Sequence, residues 1–309
     1  MSGLERLDLA DKQLAAVPVS LPSLVTLKIL DLDRNQLTSL PESIGYLKNL
    51  RVLSVYDNQL SALPEAIWRL AELQTLNLAG NHLSSLSDGI GSLAKLRMLD
   101  LGHNQLTALP ETIGSLRSLE FLYASNNYLA EVPVLLGELE SLLYLNLTDN
   151  QLSALPESLG GLAKLIELRL YNNPLAWLPA TIGQLTRLKE LHAMHNRLTA
   201  LPESIGNLAS LKKLMLQGNR LAELPESLGG LASLTDLDLR DNQLTMLPPS
   251  IGDLRSLRFL DLRANQLVAL PAGIAALAKL EKLDLRWNKR LVQPEWIEKL
   301  ERGGCTVYM

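Results

Sequence analysis

Apolar and polar positions along this chain follow one pattern with a constant period. An asparagine recurs every 23 residues from Asn35 to Asn288, and one step back from Asn35 reaches Lys12. A proline follows six residues after almost every asparagine, and Ser87 is the exception. A fixed period of this length predicts a stacked repeat protein of thirteen repeats, the first of which is divergent.

Each repeat predicts the same local structure from the unit L-x-x-L-x-L-x-x-N-x-L-x-x-L-P-x-x-I-G-x-L-x-x. The alternating L-x-L predicts a short strand with its leucines on one face. A buried asparagine after the strand can donate to and accept from backbone groups that a sharp bend leaves unpaired. The proline ends strand pairing, and the short segment after it predicts a 3₁₀ or irregular turn.

Stacking these repeats predicts a parallel sheet, because one repeat cannot bury its leucines alone. The return side is bulkier than the strand side, so the sheet is expected to lie on the concave side. We expect a single domain over residues 1–309, with an N-terminal capping repeat (1–26), central repeats (27–288) and a C-terminal cap (289–309). In that cap, Pro294 is predicted to open a short helix that Gly303 stops, and a final strand follows.

The unit resembles the leucine-rich-repeat superfamily, and more narrowly its 23-residue class, found in Ras-group intracellular proteins and stand-alone bacterial proteins. The resemblance implies an α/β repeat solenoid: a horseshoe of about 13 repeats, with a parallel concave sheet and a 3₁₀ or irregular convex side. It also implies protein recognition on the concave face and no catalytic residues. The sequence departs from the unit at Ala124 and Ala193, where a strand leucine is missing, and at Trp68 and Ala275 in the glycine column.

Composition narrows the possible functions. A formal net charge of -4 argues against binding a nucleic-acid duplex, which favours a basic surface. No apolar run approaches the roughly 18 residues of a membrane-spanning helix, and residues 1–10 do not read as a signal peptide. The single cysteine, Cys305, excludes an intrachain disulfide. We therefore expect a cytoplasmic monomer, with export without a cleaved signal as the alternative.

The third, fifth and seventh positions of L-x-x-L-x-L-x-x-N are predicted to face the concave side. Aromatic residues lie there more often than even scatter predicts, and Tyr and Met with Arg are typical of interface hot spots. This concentration predicts a partner-binding patch, although aromatics also suit exposed strand positions in general. The patch comprises Phe121, Tyr123, Tyr144, Glu167, Arg169, Tyr171, Glu190, His192, Met194, His195, Lys213 and Met215.

A second feature is an Asp-Leu-Arg triplet that recurs in the last three repeats. Stacking places an acidic column beside a basic one, and diagonal pairs would neutralise the like charges within each column. Two interpretations stay open: a structural charge ladder, or a docking site for a charged partner. Its residues are Asp238, Arg240, Asp261, Arg263, Asp284, Arg286 and Trp287.

No catalytic, cofactor or metal site is expected. His192 and His195 lie close in sequence but lack a third ligand nearby, which zinc requires. Glu167 and Glu190 are predicted to be neighbours on an open surface, without a pocket that would shift their pKa values. The sequence contains no phosphate-binding loop, no G-x-S-x-G and no H-E-x-x-H.

These observations predict a non-catalytic scaffold or adaptor that binds a protein or peptide on its concave face. One alternative is a regulatory subunit in a GTPase, kinase or phosphatase pathway. Another is an exported effector that binds a host protein. All three use the same surface.

Overall fold

A computed structural model of the chain describes residues 3–309, so Met1 and Ser2 of the predicted capping repeat lie outside the described residues. Its contacts divide into a first unit that ends at Gln151 and a second unit, Leu152–Met309. Each unit is built from the same repeat. The single domain over residues 1–309 stays a prediction.

The first unit contains parallel three-residue strands that pair in chain order. Equivalent positions of successive repeats are in register, so Phe121 lies opposite Tyr144 and Leu122 lies opposite Leu145. The strands are β1 (Arg6–Asp8), β2 (Ile29–Asp31), β3 (Val52–Ser54), β4 (Thr75–Asn77), β5 (Met98–Asp100), β6 (Phe121–Tyr123) and β7 (Tyr144–Asn146).

The second unit repeats this arrangement. Its strands are also parallel and in register, so that Glu167 lies opposite Glu190 and Glu190 opposite Lys213. The strands are β8 (Glu167–Arg169), β9 (Glu190–His192), β10 (Lys213–Met215), β11 (Asp236–Asp238), β12 (Phe259–Asp261), β13 (Lys282–Asp284) and β14 (Thr306–Tyr308).

A 3₁₀ helix follows each of the strands β1 to β12, and an α-helix follows β13. In most repeats the repeat proline immediately precedes the 3₁₀ helix, with an extended backbone that cannot continue the ladder. In the first unit the 3₁₀ helices are Leu21–Ser23, Glu42–Tyr46, Glu65–Arg69, Asp88–Ser92, Glu111–Ser115 and Val134–Glu138. In the second unit they are Glu157–Gly161, Ala180–Gln184, Glu203–Asn207, Glu226–Gly230, Pro249–Asp253 and Ala272–Ala276. Parallel strands with 3₁₀ return segments confirm the predicted repeat architecture.

The repeat asparagine links neighbouring repeats, as its predicted role requires. Asn104 is buried, and its Nδ2 donates to the carbonyl oxygens of Leu78, Leu101 and Gly102 at 3.0, 3.1 and 3.2 Å. Its Oδ1 accepts from the Leu83 amide at 3.0 Å. One side chain therefore satisfies backbone groups at the bend of its own repeat and of the repeat before it.

The residue before each repeat asparagine has a left-handed backbone. Asp57 and His103 have φ of 55° and 53°, and glycine takes this place at Gly80 with φ 67°. Asp, Asn and Gly tolerate this region best, which gives the recurrent Asp-Asn pairs a backbone explanation. Ala264 and Trp287 adopt it as well, with φ of 51° and 65°. For these two side chains the left-handed backbone costs about 1–2 kcal/mol.

The core is almost entirely leucine, and the sequence departures within it are tolerated locally. Ala124 and Ala193, which replace strand leucines, are both fully buried. The glycine column lets successive 3₁₀ helices approach closely, because a Cβ at Gly114 would lie 2.2 Å from the carbonyl oxygen of Leu135.

Trp68 breaks that glycine column, and the next repeat compensates for it. Trp68 is buried, and the residue that it faces in the following repeat is Gly89. A Cβ on Gly89 would lie 2.1 Å from Trp68 Cδ1. The large and the small residue have therefore exchanged places between the two repeats.

The C-terminal helix starts later than predicted. It is an α-helix, α1 (Ile297–Arg302), with Glu298 rather than Glu295 in its first turn, and β14 follows it in parallel with β13. The Pro294 carbonyl accepts from the Ile297 amide at 3.1 Å, so a tight turn precedes the helix. Ile297, Leu300 and Cys305 are buried in this cap, and burial raises the pKa of the Cys305 thiol.

The contact between Trp68 and Gly89 can be tested by a substitution that enlarges the glycine. Gly89→Ser should lower the free energy of unfolding by about 1–3 kcal/mol, because the new side chain collides with the Trp68 ring. In the Trp68→Gly background the same change should cost at least about 1 kcal/mol less. Urea unfolding of the wild type, both single variants and the double variant measures this coupling. Additive effects would contradict the account.

Candidate functional site: the open sheet face

Strands β2 to β10 and β12 bury their middle residue and leave their first and third residues half-buried on the other side of the sheet. In β11 and β13 the third residue, an aspartate, is buried as well. Leu168 and Leu191 are fully buried, for example, whereas their neighbours in β8 and β9 are not. We call this side of the sheet the open sheet face. It is formed by the first and third residues of each strand and by the residue two positions after the third. Its chemistry can vary while the leucine core stays constant.

On the first unit, the open sheet face carries the aromatic part of the predicted patch. Phe121, Tyr123 and Tyr144 are all half-buried. The rings of Tyr123 and Tyr144 are 4.9 Å apart between centroids and are tilted by 39°. This distance is typical of a favourable aromatic pair. The three residues form one aromatic surface in this unit.

On the second unit, the predicted residues of β8, β9 and β10 form a network of ion pairs. Arg169 Nε lies 2.6 Å from Glu167 Oε1, and Lys213 Nζ lies 3.0 Å from Glu190 Oε1. The His192 ring nitrogen Nε2 lies 3.0 Å from Glu190 Oε2. Burial raises the pKa of Glu190, but hydrogen bonds from His192 and Lys213 outweigh it and hold that pKa below its usual value. The Glu190 carboxylate raises the pKa of Lys213 in return.

Glu167, Glu190 and His192 bring three metal-ligating groups together, with ligand atoms within 4.8 Å of one another. Sequence spacing suggests only the pair His192 and His195 and does not show that His192 meets these carboxylates. His195 is exposed, and its Nε2 lies 3.1 Å from the Gln217 side chain. Since Arg169 and Lys213 already neutralise both carboxylates, the arrangement is that of an ion-pair network.

The remaining predicted residues of the second unit extend this network with apolar surface. Tyr171, Met194 and Met215 are half-buried beside it. We call the group on this part of the open sheet face the β8–β10 surface. Its residues are Glu167, Arg169, Tyr171, Glu190, His192, Met194, Lys213 and Met215.

The Asp-Leu-Arg triplets form a charge ladder whose contacts lie mostly within one repeat. Arg263 lies 2.6 Å from Asp261, and Arg286 lies 2.7 Å from Asp284. The expected diagonal contact is seen between Arg263 and Asp284, at 3.5 Å. Burial raises the pKa of the fully buried Asp284, but Arg286 and Arg263 outweigh it and lower that pKa.

The two ends of the ladder differ. At Asp238, burial dominates and raises the pKa, because Arg240 makes only a 3.2 Å contact with its carboxylate and also donates to Gln217 Oε1. At the other end, Trp287 is 65% exposed, and the guanidinium carbons of Arg286 and Arg263 lie 5.6 and 5.9 Å from its ring centroid. Both distances are within cation–π range.

A hollow of about 240 Å³ lies on the open sheet face between β10 and β13. The hollow depends on short aspartates that lie between larger side chains of neighbouring strands, so the repeat pattern alone does not predict it. Asp236 is outside both predicted surfaces, although its position in an Asp-Leu-Asp strand is a usable signal. We call this feature the β10–β13 hollow. It is lined by Met215, Asp236, Leu237, Asp238, Phe259, Leu260, Asp261 and Lys282.

Two family models of leucine-rich repeats match this chain. The family model of the leucine-rich repeat region matches residues 135–220 and 205–302, and that of the leucine rich repeat matches residues 2–60, 25–83 and 71–129. No similar protein was found among the curated sequences. In residues 3–309, no helix has the length and apolar character that crossing a membrane requires.

Solved structures show the same architecture. A leucine-rich-repeat protein of Leptospira interrogans is 34% identical, with a TM-score of 0.87, over 99% of this chain and 84% of its own. A plant peptide hormone receptor, RGFR1 in complex with RGF2, is 33% identical with a TM-score of 0.82, over 92% of this chain. The Drosophila Toll–Spatzle complex is 25% identical with a TM-score of 0.82, also over 92%. This chain spans 48% of the matched chain in the RGFR1 structure and 41% of the matched chain in the Toll–Spatzle structure.

Asp100, the third residue of β5, leads to a prediction on how the free energy of unfolding depends on pH. Asp100 Oδ1 accepts from the Gly102 amide at 2.9 Å, and Asn77 and Asn146 accept the equivalent bond in two other repeats. Burial raises the pKa of Asp100 above 3.8, so its charge costs stability at neutral pH, and this cost vanishes below pH 3.8. Asp100→Asn should therefore raise the free energy of unfolding at neutral pH.

Urea unfolding over a range of pH measures the effect. The gain of Asp100→Asn should shrink as the pH falls through the raised pKa of Asp100 and disappear below pH 3.8, where the wild-type carboxyl is neutral in both the folded and the unfolded state. The exposed Asp57→Asn is the control, because asparagine also tolerates its left-handed backbone. A gain that is constant or that grows at low pH would show that the buried charge is not its cause.

Proposed function

Because the chain belongs to the leucine-rich-repeat family, we propose that it is a non-catalytic scaffold or adaptor that binds a protein partner on the open sheet face of its second unit. The observation that carries the proposal is the β8–β10 surface. There an ordered network of ion pairs lies beside half-buried Tyr171, Met194 and Met215.

This surface has the chemistry of a protein interface. Tyr and Met provide contact area at a low entropic cost, and Arg provides directional hydrogen bonds. The ion pairs hold Arg169 and Lys213 in place, so that less side-chain freedom is lost on binding. The two carboxylates and two cations balance, which favours a mixed polar and apolar protein surface over nucleic acid.

Two related structures support a binding role. One is a complex of the plant peptide hormone receptor RGFR1 with RGF2, and the other is the complex of Toll with Spatzle. We further propose that the aromatic surface of the first unit, Phe121, Tyr123 and Tyr144, is a contact surface in its own right. A monomer in the cytoplasm is the proposed working form, where the single buried cysteine stays a thiol.

A matched pair of variants tests the proposal. A partner is captured from the native cell extract on the wild-type protein, identified, purified and titrated by calorimetry. Arg169→Ala with Tyr171→Ala should weaken its affinity by at least about tenfold, the loss typical of hot-spot residues. Arg187→Ala with Trp177→Ala removes an equivalent exposed pair away from the open sheet face and should leave the affinity within about twofold.

Circular dichroism of both variants checks that the fold is intact. If the Arg187 and Trp177 variant loses the partner while the Arg169 and Tyr171 variant retains it, the binding surface lies elsewhere and the proposal is wrong.

A further inference from the structure

The β10–β13 hollow results from unequal side-chain size on neighbouring strands. The aspartates at the first and third positions of β11 are short, whereas Met215, Phe259 and Lys282 on the adjoining strands are long. Its volume of about 240 Å³ lies below the roughly 300–1,000 Å³ of small-molecule sites. A single long side chain of a partner matches a recess of this size.

The carboxylates of β11 are incompletely neutralised. Asp236 accepts a hydrogen bond from Thr235 Oγ1 at 2.5 Å, and no lysine or arginine of the described residues forms an ion pair with it. The charges of Lys213 and Arg258 act on Asp236, but their ion pairs are made with Glu190 at 3.0 Å and with Glu281 at 2.7 Å. Asp236 therefore adds negative charge to the hollow.

The other charged groups of the hollow leave this excess in place. Lys282 lies 3.7 Å from Asp284 and 5.3 Å from the ring of Tyr308, away from β11. Asp261 is held by Arg263 through both of its carboxylate oxygens. Asp238 accepts a hydrogen bond from the Arg240 backbone amide at 3.2 Å and lies 3.2 Å from the guanidinium of the same residue. Burial nevertheless raises the pKa of Asp238, which means that its charge is poorly stabilised.

The sides of the hollow are apolar. Met215 and Phe259 lie on the strands that flank β11, one on each side, and Leu237 and Leu260 line the hollow as well. A lysine or arginine side chain combines an apolar stem with a cationic end, and such side chains place the stem on apolar surface and the charge on polar groups. The hollow offers both environments within one recess.

We propose that the β10–β13 hollow receives a lysine or arginine side chain of the protein partner. Its cationic end lies between the carboxylates of Asp236 and Asp238, and its stem lies against Met215 and Phe259. This assignment rests on the proposed function, since it specifies the partner's chemistry: a segment that presents one basic side chain.

Small probes test the hollow without the partner. N-acetyl-lysine methylamide and N-acetyl-arginine methylamide are titrated into the isotope-labelled protein and followed by NMR. We expect saturable shifts of the amides of Asp236, Asp238 and Phe259. The uncharged N-acetyl-norleucine methylamide should bind at least about tenfold more weakly, because it lacks the ion pair with the two carboxylates.

Two charge-matched variants locate the site. Asp236→Asn with Asp238→Asn should abolish the saturable shifts, whereas Asp241→Asn with Asp253→Asn changes the net charge equally and should leave them intact. Shifts that are equal for norleucine, or that spread over many surface carboxylates, would overturn the proposal. So would saturation by Ca²⁺ without any response to the lysine and arginine probes.

The two proposals fail separately. If the hollow fails the probe test while the Arg169 and Tyr171 variant still loses the captured partner, the β8–β10 surface binds the partner without a basic side chain in the hollow. If the probes bind but that variant retains the partner, the hollow takes basic side chains and the proposed binding surface is wrong.

Discussion

The amide side chain of the repeat asparagine is the interaction on which the rest of this structure depends. At each bend, backbone donors and acceptors turn away from the sheet and into an apolar core, where water cannot reach them. Asn127 shows the solution: it donates to Leu101 in the preceding repeat and to Ser125 in its own, and accepts from Leu106. Because the bond set recurs, successive strands are fixed in one register. An unpaired buried amide or carbonyl costs about 1–3 kcal/mol, so few substitutes exist.

This constraint separates stability from recognition. The leucines and asparagines hold the strands in register, while the first and third strand residues are free to carry chemistry. On the second unit these free positions carry Glu167 and Lys213 at one end and Asp236 and Phe259 at the other. A mixed ion-pair surface and an under-neutralised recess thus lie on one sheet, built on an unchanged core. Binding specificity in such a protein is therefore expected to depend on the residues at these first and third strand positions.

Much of the fold was predictable because its rules are local. The strand, the bend and the return segment are each determined by residues a few positions apart in one repeat. The repeating sequence pattern was therefore sufficient to predict the repeat architecture. Features that depend on two repeats at once were not predicted: Trp68 facing Gly89, and Glu167 and Glu190 meeting His192. The β10–β13 hollow was not predicted for the same reason, because it forms only where Met215 and Phe259 flank Asp236 on the neighbouring strands. The left-handed backbone before each asparagine was not predicted either, because side chains as different as Asp57, His103 and Trp287 occupy that position.

The free energy of unfolding of Asn104→Leu, measured by urea denaturation, tests the central claim most directly. Leucine has a side chain of similar shape to that of asparagine but cannot form hydrogen bonds. It therefore leaves the Leu83 amide and the carbonyls of Leu78 and Leu101 without this partner. The account predicts a loss of at least about 2–4 kcal/mol. Gln105→Leu, one position later and exposed, should change stability by less than about 0.5 kcal/mol. An Asn104→Leu protein as stable as the wild type would contradict the claim that this amide holds the repeats together.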